Sequence, residues 1–153
     1  GIVHRPRKLH LVQIRRNAVD AITAHARRES PRECCGLLVG TDGDVREAVA
    51  VANVADEPHR RFQVSPADHF ALIRRCRDAP SLGSDVVEII GVYHSHPRSA
   101  PVPSPTDRQE AFHDFLYVIA GPTDGSTVFG LRAYRLLEGH FEEVVLIGDP
   151  PSG

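Results

Sequence analysis

The sequence predicts an α+β (α/β) domain: a mixed β-sheet with helices packed on it. Three observations carry this expectation. Strand-type and helix-type apolar patterns follow one another in the order β-α-β-β-α-β-α-β-β-β, which neither an all-α bundle nor a plain sandwich would give. The chain has 153 residues, the length of one domain able to bury a core without metal or disulfide support. Hydrophobic residues make up 41% and charged residues 25%, which excludes a disordered or fibrous chain. One domain is expected over residues 1–149, with 150–153 a frayed tail.

Each element follows from local pattern. Residues 9–14 form a short, mostly apolar run that reads as an edge strand. Over 15–28, Val19, Ile22 and Ala26 recur at helical spacing with Thr23 beside them, and Pro31 then breaks the helix. Residues 34–39 read as a buried strand stopped by Gly40, and Thr41-Asp42-Gly43-Asp44 is a turn leading to a hairpin partner over 45–54. Ser65-Pro66-Ala67-Asp68 is a helix start: a Ser cap, Pro at the first helical position and an acid in the first turn. The apolar side of that helix is expected to be Phe70, Leu72, Ile73 and Cys76, ending before Pro80. Residues 86–93 form a central strand, a helix runs from about 104 to 113, and 115–120 is another buried strand. A closing hairpin spans 128–137 and 140–147 around Glu138-Gly139.

Acids outnumber bases by two, which leaves no electrostatic footprint for nucleic acid or an anionic membrane. No apolar run approaches the roughly 18 residues of a membrane span, and residues 8–16 lack the apolar core of a signal peptide. The three cysteines, Cys34, Cys35 and Cys76, form neither a disulfide framework nor a Cys-x-x-Cys pair, and are expected as buried small apolar residues. These features describe a soluble cytoplasmic protein.

The chemistry concentrates in His94-Ser95-His96-Pro97 and, further on, Ser104-Pro105-Thr106-Asp107. If the strand through Tyr93 continues three residues, His94 and His96 point to one face, since side chains alternate along a strand. Asp107 then falls in the first turn of the next helix, from which its carboxylate returns beside them. Two imidazoles and one carboxylate make three zinc ligands and leave a fourth position open, as in a catalytic rather than a structural site. Such a site needs a base, and Glu33, immediately before an apolar strand, is the candidate. Ser104 is placed to offer a hydroxyl to an oxyanion. Taken singly, each residue has a plainer account: His94-x-His96 as scattered histidines, Ser104 to Asp107 as a helix cap, Glu33 as a solvated loop residue. Two His, one Pro, one Ser and one Asp at these offsets should arise by chance on the order of 10⁻⁴ per chain.

His-x-His-Pro, with Ser seven residues after the Pro and Asp three further on, resembles the JAMM signature of MPN-domain metalloproteases. Glu33-Cys34-Cys35-Gly36-Leu37-Leu38-Val39-Gly40 resembles the segment that carries the family's catalytic Glu. The resemblance implies a curved mixed sheet flanked by helices, related to the cytidine deaminases. It implies His94, His96 and Asp107 as zinc ligands, Glu33 as acid/base and Ser104 as oxyanion donor. About 60 residues separate Glu33 from His94, so the chain is similar to the compact prokaryotic members. Those hydrolyse the bond after the C-terminal Gly-Gly of ubiquitin-like or sulfur-carrier proteins, and such a carrier tail is the expected partner. The alternative is a catalytically silent MPN scaffold. A zinc deaminase is disfavoured because His140-Phe141-Glu142 is not followed by Pro-Cys-x-x-Cys, and His-Glu-x-x-His is absent. Residues 98–103 are expected as a mobile flap, with a substrate tail adding as a strand at the nearby sheet edge. The arginines of 27–32, 60–61 and 74–77 read as a solvated face, or as a steering patch for an acidic carrier.

Overall fold

The computed structural model describes residues 11–79, 86–105, 107, 115–122 and 129–148. Seven strands and two long helices follow in the order β1 (Leu11–Ile14), α1 (Arg16–Glu29), β2 (Cys35–Thr41), β3 (Asp44–Val51), α2 (Pro66–Asp78), β4 (Glu88–Ser95), β5 (Leu116–Pro122), β6 (Phe129–Leu137) and β7 (His140–Gly148). Pro105 and Asp107 have helical backbone; the rest of the helix expected to residue 113, and the tail expected over 150–153, lie outside the described residues.

The sheet is mixed, as expected, but it closes. Its strand order is β1-β3-β2-β4-β5-β6-β7, and β1 pairs in parallel with both β3 and β7. The expectation of β1 as an edge strand is therefore corrected. Its four residues alternate exposed and buried, and Val12 and Ile14 turn inward under α1 while its backbone joins the two ends of the sheet. β1 meets β3 only at Asp44 and Val45, so among the described residues the outer side of β3 beyond Val45 has no strand partner.

The turns follow their residues. Asp42-Gly43 links β2 to β3 with Gly43 at φ 76°, and Glu138-Gly139 links β6 to β7 with φ 51° and 79°. Both central residues of the second turn are left-handed, as a two-residue hairpin requires.

The main core lies between α1 and one face of the sheet, where Ala18, Ile22 and Ala26 meet Val12, Leu38, Val45, Tyr93, Leu116 and Val118. On the opposite face Cys35, Leu37, Val39 and Val51 pack with Leu72 of α2. β2 is thus buried on both faces, which is why its sequence is a continuous apolar run instead of an alternation. Cys34 and Cys35 are both buried as small core residues, and burial pushes the Cys35 thiol up to about 12.

α2 begins as its sequence dictates, with Ser65 Oγ accepting from the Asp68 N–H (3.3 Å) and Pro66 in the first turn. Its apolar side is narrower than expected. Leu72 is buried and Cys76 half-buried, but Phe70 and Ile73 are 64% and 43% exposed. Leu72 and Cys76 make an i, i+4 stripe, and Phe70 lies two residues off it, on the solvent side. Among the described residues no helix is long and apolar enough to cross a membrane.

Candidate metal centre

β4 delivers the two histidines. Its Tyr93 and Ser95 turn toward α1 and β2, where Tyr93 Oη and His25 Nδ1 lie 2.7 Å apart and Ser95 Oγ accepts from the Cys34 N–H at 2.8 Å. His94 and His96 take the other face. The strand itself ends at Ser95, yet the His96 N–H donates to the Ala120 carbonyl of β5 at 2.8 Å, so the alternation carries one residue past the end.

The His94 and His96 Nε2 atoms lie 3.2 Å apart. Asp107 closes the triangle, with Oδ1 at 3.2 Å from His94 Nε2 and Oδ2 at 3.2 Å from His96 Nε2. The carboxylate is turned there by a reciprocal cap: Asp107 Oδ2 accepts from the Ser104 N–H at 2.8 Å, and Ser104 Oγ accepts from the Asp107 N–H at 3.1 Å. The helix-cap reading of Ser104 to Asp107 and the site reading are the same geometry.

Local contacts set the state of each ring. His96 Nδ1 sits 2.9 Å from the Ala100 carbonyl. A carbonyl only accepts, so this contact is a hydrogen bond when Nδ1 carries the ring proton, the tautomer whose Nε2 lone pair can bind a metal ion. The Phe62 ring stacks on His94 at 4.3 Å and 20°, and His94 Nδ1 has no partner among the described residues. Burial keeps His94 below the ordinary imidazole range despite the pull of Asp107. Burial works the same way on His96, but the Asp107 bond and the Ala100 carbonyl outweigh it and His96 is raised. Burial pushes Asp107 up, yet the hydrogen bonds with His94 and His96 outweigh it and hold the carboxyl well below its usual range.

Glu33 reaches the same place from the loop after α1. Its N–H donates to the Pro58 carbonyl at 2.7 Å, and its own carbonyl accepts from Asn53 Nδ2 at 2.9 Å. It is 8% exposed, and its Oε1 has no partner among the described residues. A Glu33 carboxylate oxygen and ring nitrogens of His94 and His96 all lie within 4.8 Å of one another. Burial, with Asp107 adding repulsion and His96 opposing it, pushes Glu33 up to about 7.

These donors fit a divalent metal ion. Tetrahedral zinc with ligands at about 2.0–2.1 Å has edges of about 3.3–3.4 Å between ligand atoms. The triangle of His94, His96 and Asp107 has edges of 3.2 Å. Two facing nitrogen lone pairs beside a carboxylate are mutually repulsive unless a proton or a cation lies among them, and the site is built to receive one.

The profile of prokaryotic homologues of the JAB domain matches residues 15–137. The chain belongs to this family. Prokaryotic JAB relatives include a desampylase of Haloferax volcanii, 40% identical over 114 residues that span 69% of this chain and 77% of the relative. A probable TtuB-protein conjugate cleaving protease of Thermus thermophilus is 33% identical, covering 90% of this chain and 82% of its own. A CysO-cysteine peptidase of Mycobacterium tuberculosis is 31% identical, covering 88% and 89%. In fold, a JAB1/MPN domain protein from Archaeoglobus fulgidus superposes with a TM-score of 0.54 at 20% identity, covering 91% of this chain and 97% of that one. The chain is a JAMM/MPN family hydrolase.

The structure brings His94, His96, Asp107 and Glu33 together, and Ser104 joins them through its reciprocal hydrogen bonds with Asp107. Phe62, Asn53 and the Pro58 carbonyl, which support the site from the loop between β3 and α2, carried no sequence signal, because backbone acceptors and stacked rings have no motif. Residues 98–103 touch the site and the sheet through two carbonyls: Ala100 O lies 2.9 Å from His96 Nδ1, and Pro101 O accepts from Tyr134 Oη at 2.8 Å. β4 itself is paired on both sides, by β2 and β5. Of the eight arginines in these clusters, Arg32 pairs with Glu29, Arg61 with Asp56, Arg75 with Glu47 and Arg77 with Asp78.

Proposed function

We propose that this protein is a zinc-dependent peptidase that hydrolyses the amide bond after the C-terminal Gly-Gly of a small ubiquitin-like or sulfur-carrier protein. The observation that carries the reading is the convergence of His94 Nε2, His96 Nε2 and the Asp107 carboxylate, with the buried Glu33 carboxyl alongside. In this reading His94, His96 and Asp107 hold the zinc. Zinc, when bound, polarises a carbonyl and acidifies water at neutral pH. Asp107 lies within hydrogen-bonding distance of both rings and suits a ligand; Glu33, farther out, suits a base. With its pKa raised toward 7, Glu33 takes a proton from the attacking water and returns it to the leaving amine. Ser104 Oγ accepts from the Asp107 N–H and keeps its own proton to donate to the developing oxyanion.

The substrate class follows the relatives, whose names describe cleavage of protein conjugates or of a carrier–cysteine bond. A silent scaffold expects a broken ligand set, whereas here every member is in place. The test uses a Gly-Gly-tailed carrier with a C-terminal amino-acid extension, incubated with zinc-loaded protein. Release of the extension by wild type, and its loss in Glu33→Gln with zinc retained, is the expected result. No release from any Gly-Gly carrier by fully zinc-loaded wild type would overturn the assignment.

A further inference from the structure

We propose that Tyr134 is a positioning residue for the metal centre, acting through the loop backbone that holds the His96 ring. The proposal rests on the reading of His96 as a zinc ligand.

Tyr134 stands on β6, cross-strand from Tyr117 of β5, and is 6% exposed. Its ring packs edge-on against Phe141 of β7 and its hydroxyl donates to the Pro101 carbonyl at 2.8 Å. Pro101 is the centre of a tight turn in which the Val102 N–H donates to the Ala100 carbonyl at 2.8 Å. Proline suits that position, since its fixed φ of about −65° is close to that of an inverse γ-turn. The Ala100 carbonyl therefore has two donors, Val102 N–H and His96 Nδ1–H, and its direction is set by the turn.

A second contact holds the same residues from below. At Gly121 an added Cβ would lie 2.9 Å from the Ser99 carbonyl oxygen and 3.1 Å from Pro101 N, so only glycine lets the loop lie against β5. Gly121 and Tyr134 thus clamp residues 99–101 between them. The clamp's output is the place of the Ala100 carbonyl, 2.9 Å from His96 Nδ1, which orients the ring so that Nε2 faces Asp107 and His94. Nothing else among the described residues bonds to the Pro101 carbonyl, so removing the Tyr134 hydroxyl strands a buried acceptor and frees the turn.

The experiment measures zinc affinity by competition with a chromophoric chelator, and solvent exchange of the His96 Nδ1–H in zinc-loaded protein by ¹H–¹⁵N NMR. Tyr134→Phe should bind zinc about 10- to 100-fold more weakly. Its His96 Nδ1–H, no longer held firmly on the Ala100 carbonyl, should exchange with solvent faster than in wild type. Tyr93→Phe removes a buried hydroxyl contact of similar length, to His25, and should keep wild-type affinity and Nδ1–H exchange. Gly121→Ala, which lifts the loop from the other side, should reproduce the Tyr134→Phe result and serves if that variant does not fold. Wild-type affinity in Tyr134→Phe, an unchanged Nδ1–H exchange rate, or an equal loss in Tyr93→Phe would overturn the proposal. Wild type that binds no zinc would bring down the metal centre itself, an outcome distinct from these.

Discussion

Replacing Glu33 by Gln in the metal-free protein should make it more stable above neutral pH and leave it unchanged in acid. Glu33 is 8% exposed and one of its carboxylate oxygens has no partner among the described residues. Burial pushes the carboxyl from an ordinary 4.5 to about 7. In the unfolded chain the group ionises near 4.5; in the fold it keeps its proton until about 7. Between those values the folded state binds more protons than the unfolded one, so stability falls as pH rises through that window. A displacement of that size corresponds to about 3 kcal/mol, fully developed above pH 7 and absent below pH 4.5. Glutamine has the same shape and never ionises, so its stability curve lacks this fall. For a domain of this length the difference at pH 8 is roughly 6–12 °C in Tm. The assay is urea or thermal unfolding of both proteins in chelator, from pH 4.5 to pH 8. A gap between the two that does not widen with pH, or a Gln variant less stable at pH 8, would refute the reasoning.

Two further outcomes follow from the packing and the cap. Gly36→Ala would drive a Cβ into the hydroxyl end of the Tyr93 ring, and the resulting overpacking should cost about 1–3 kcal/mol, read as a lower urea midpoint; wild-type stability would contradict the placement of that ring. Ser104→Ala should lower kcat about 10²- to 10³-fold if the hydroxyl serves the oxyanion, while bound zinc stays near wild type. A variant with normal kcat would restrict Ser104 to capping Asp107, where its loss should cost about 1 kcal/mol.

Much of the site was legible because strand and cap rules act locally. Alternation puts His94 and His96 on one face whatever surrounds β4. Ser104 and Asp107 bond reciprocally because a cap and its third residue must meet, and that contact turns the carboxylate toward the rings. Glu33 stood out because an acid against the apolar run of β2 has few reasons to be there. What stayed illegible depends on distant partners. The four residues of β1 gave no hint that they pair with β3 and β7 and close the sheet, since parallel pairing is set by tertiary placement. Phe70 and Ile73 fit a helical apolar pattern, yet α2 rests on the sheet by a stripe too narrow to include them. The Ala100 carbonyl that fixes His96, and the Tyr134 hydroxyl behind it, involve backbone atoms that no spacing of side chains encodes.

The central claim is that His94, His96 and Asp107 hold one zinc ion and that Glu33 does not. Its most direct test is zinc per chain by elemental analysis on wild type, Asp107→Ala and Glu33→Gln after equilibration with zinc and removal of the excess. The account predicts about one zinc per chain in wild type and in Glu33→Gln, and near none in Asp107→Ala. Zinc retained by Asp107→Ala but lost from Glu33→Gln would exchange the two carboxylates' roles and contradict it.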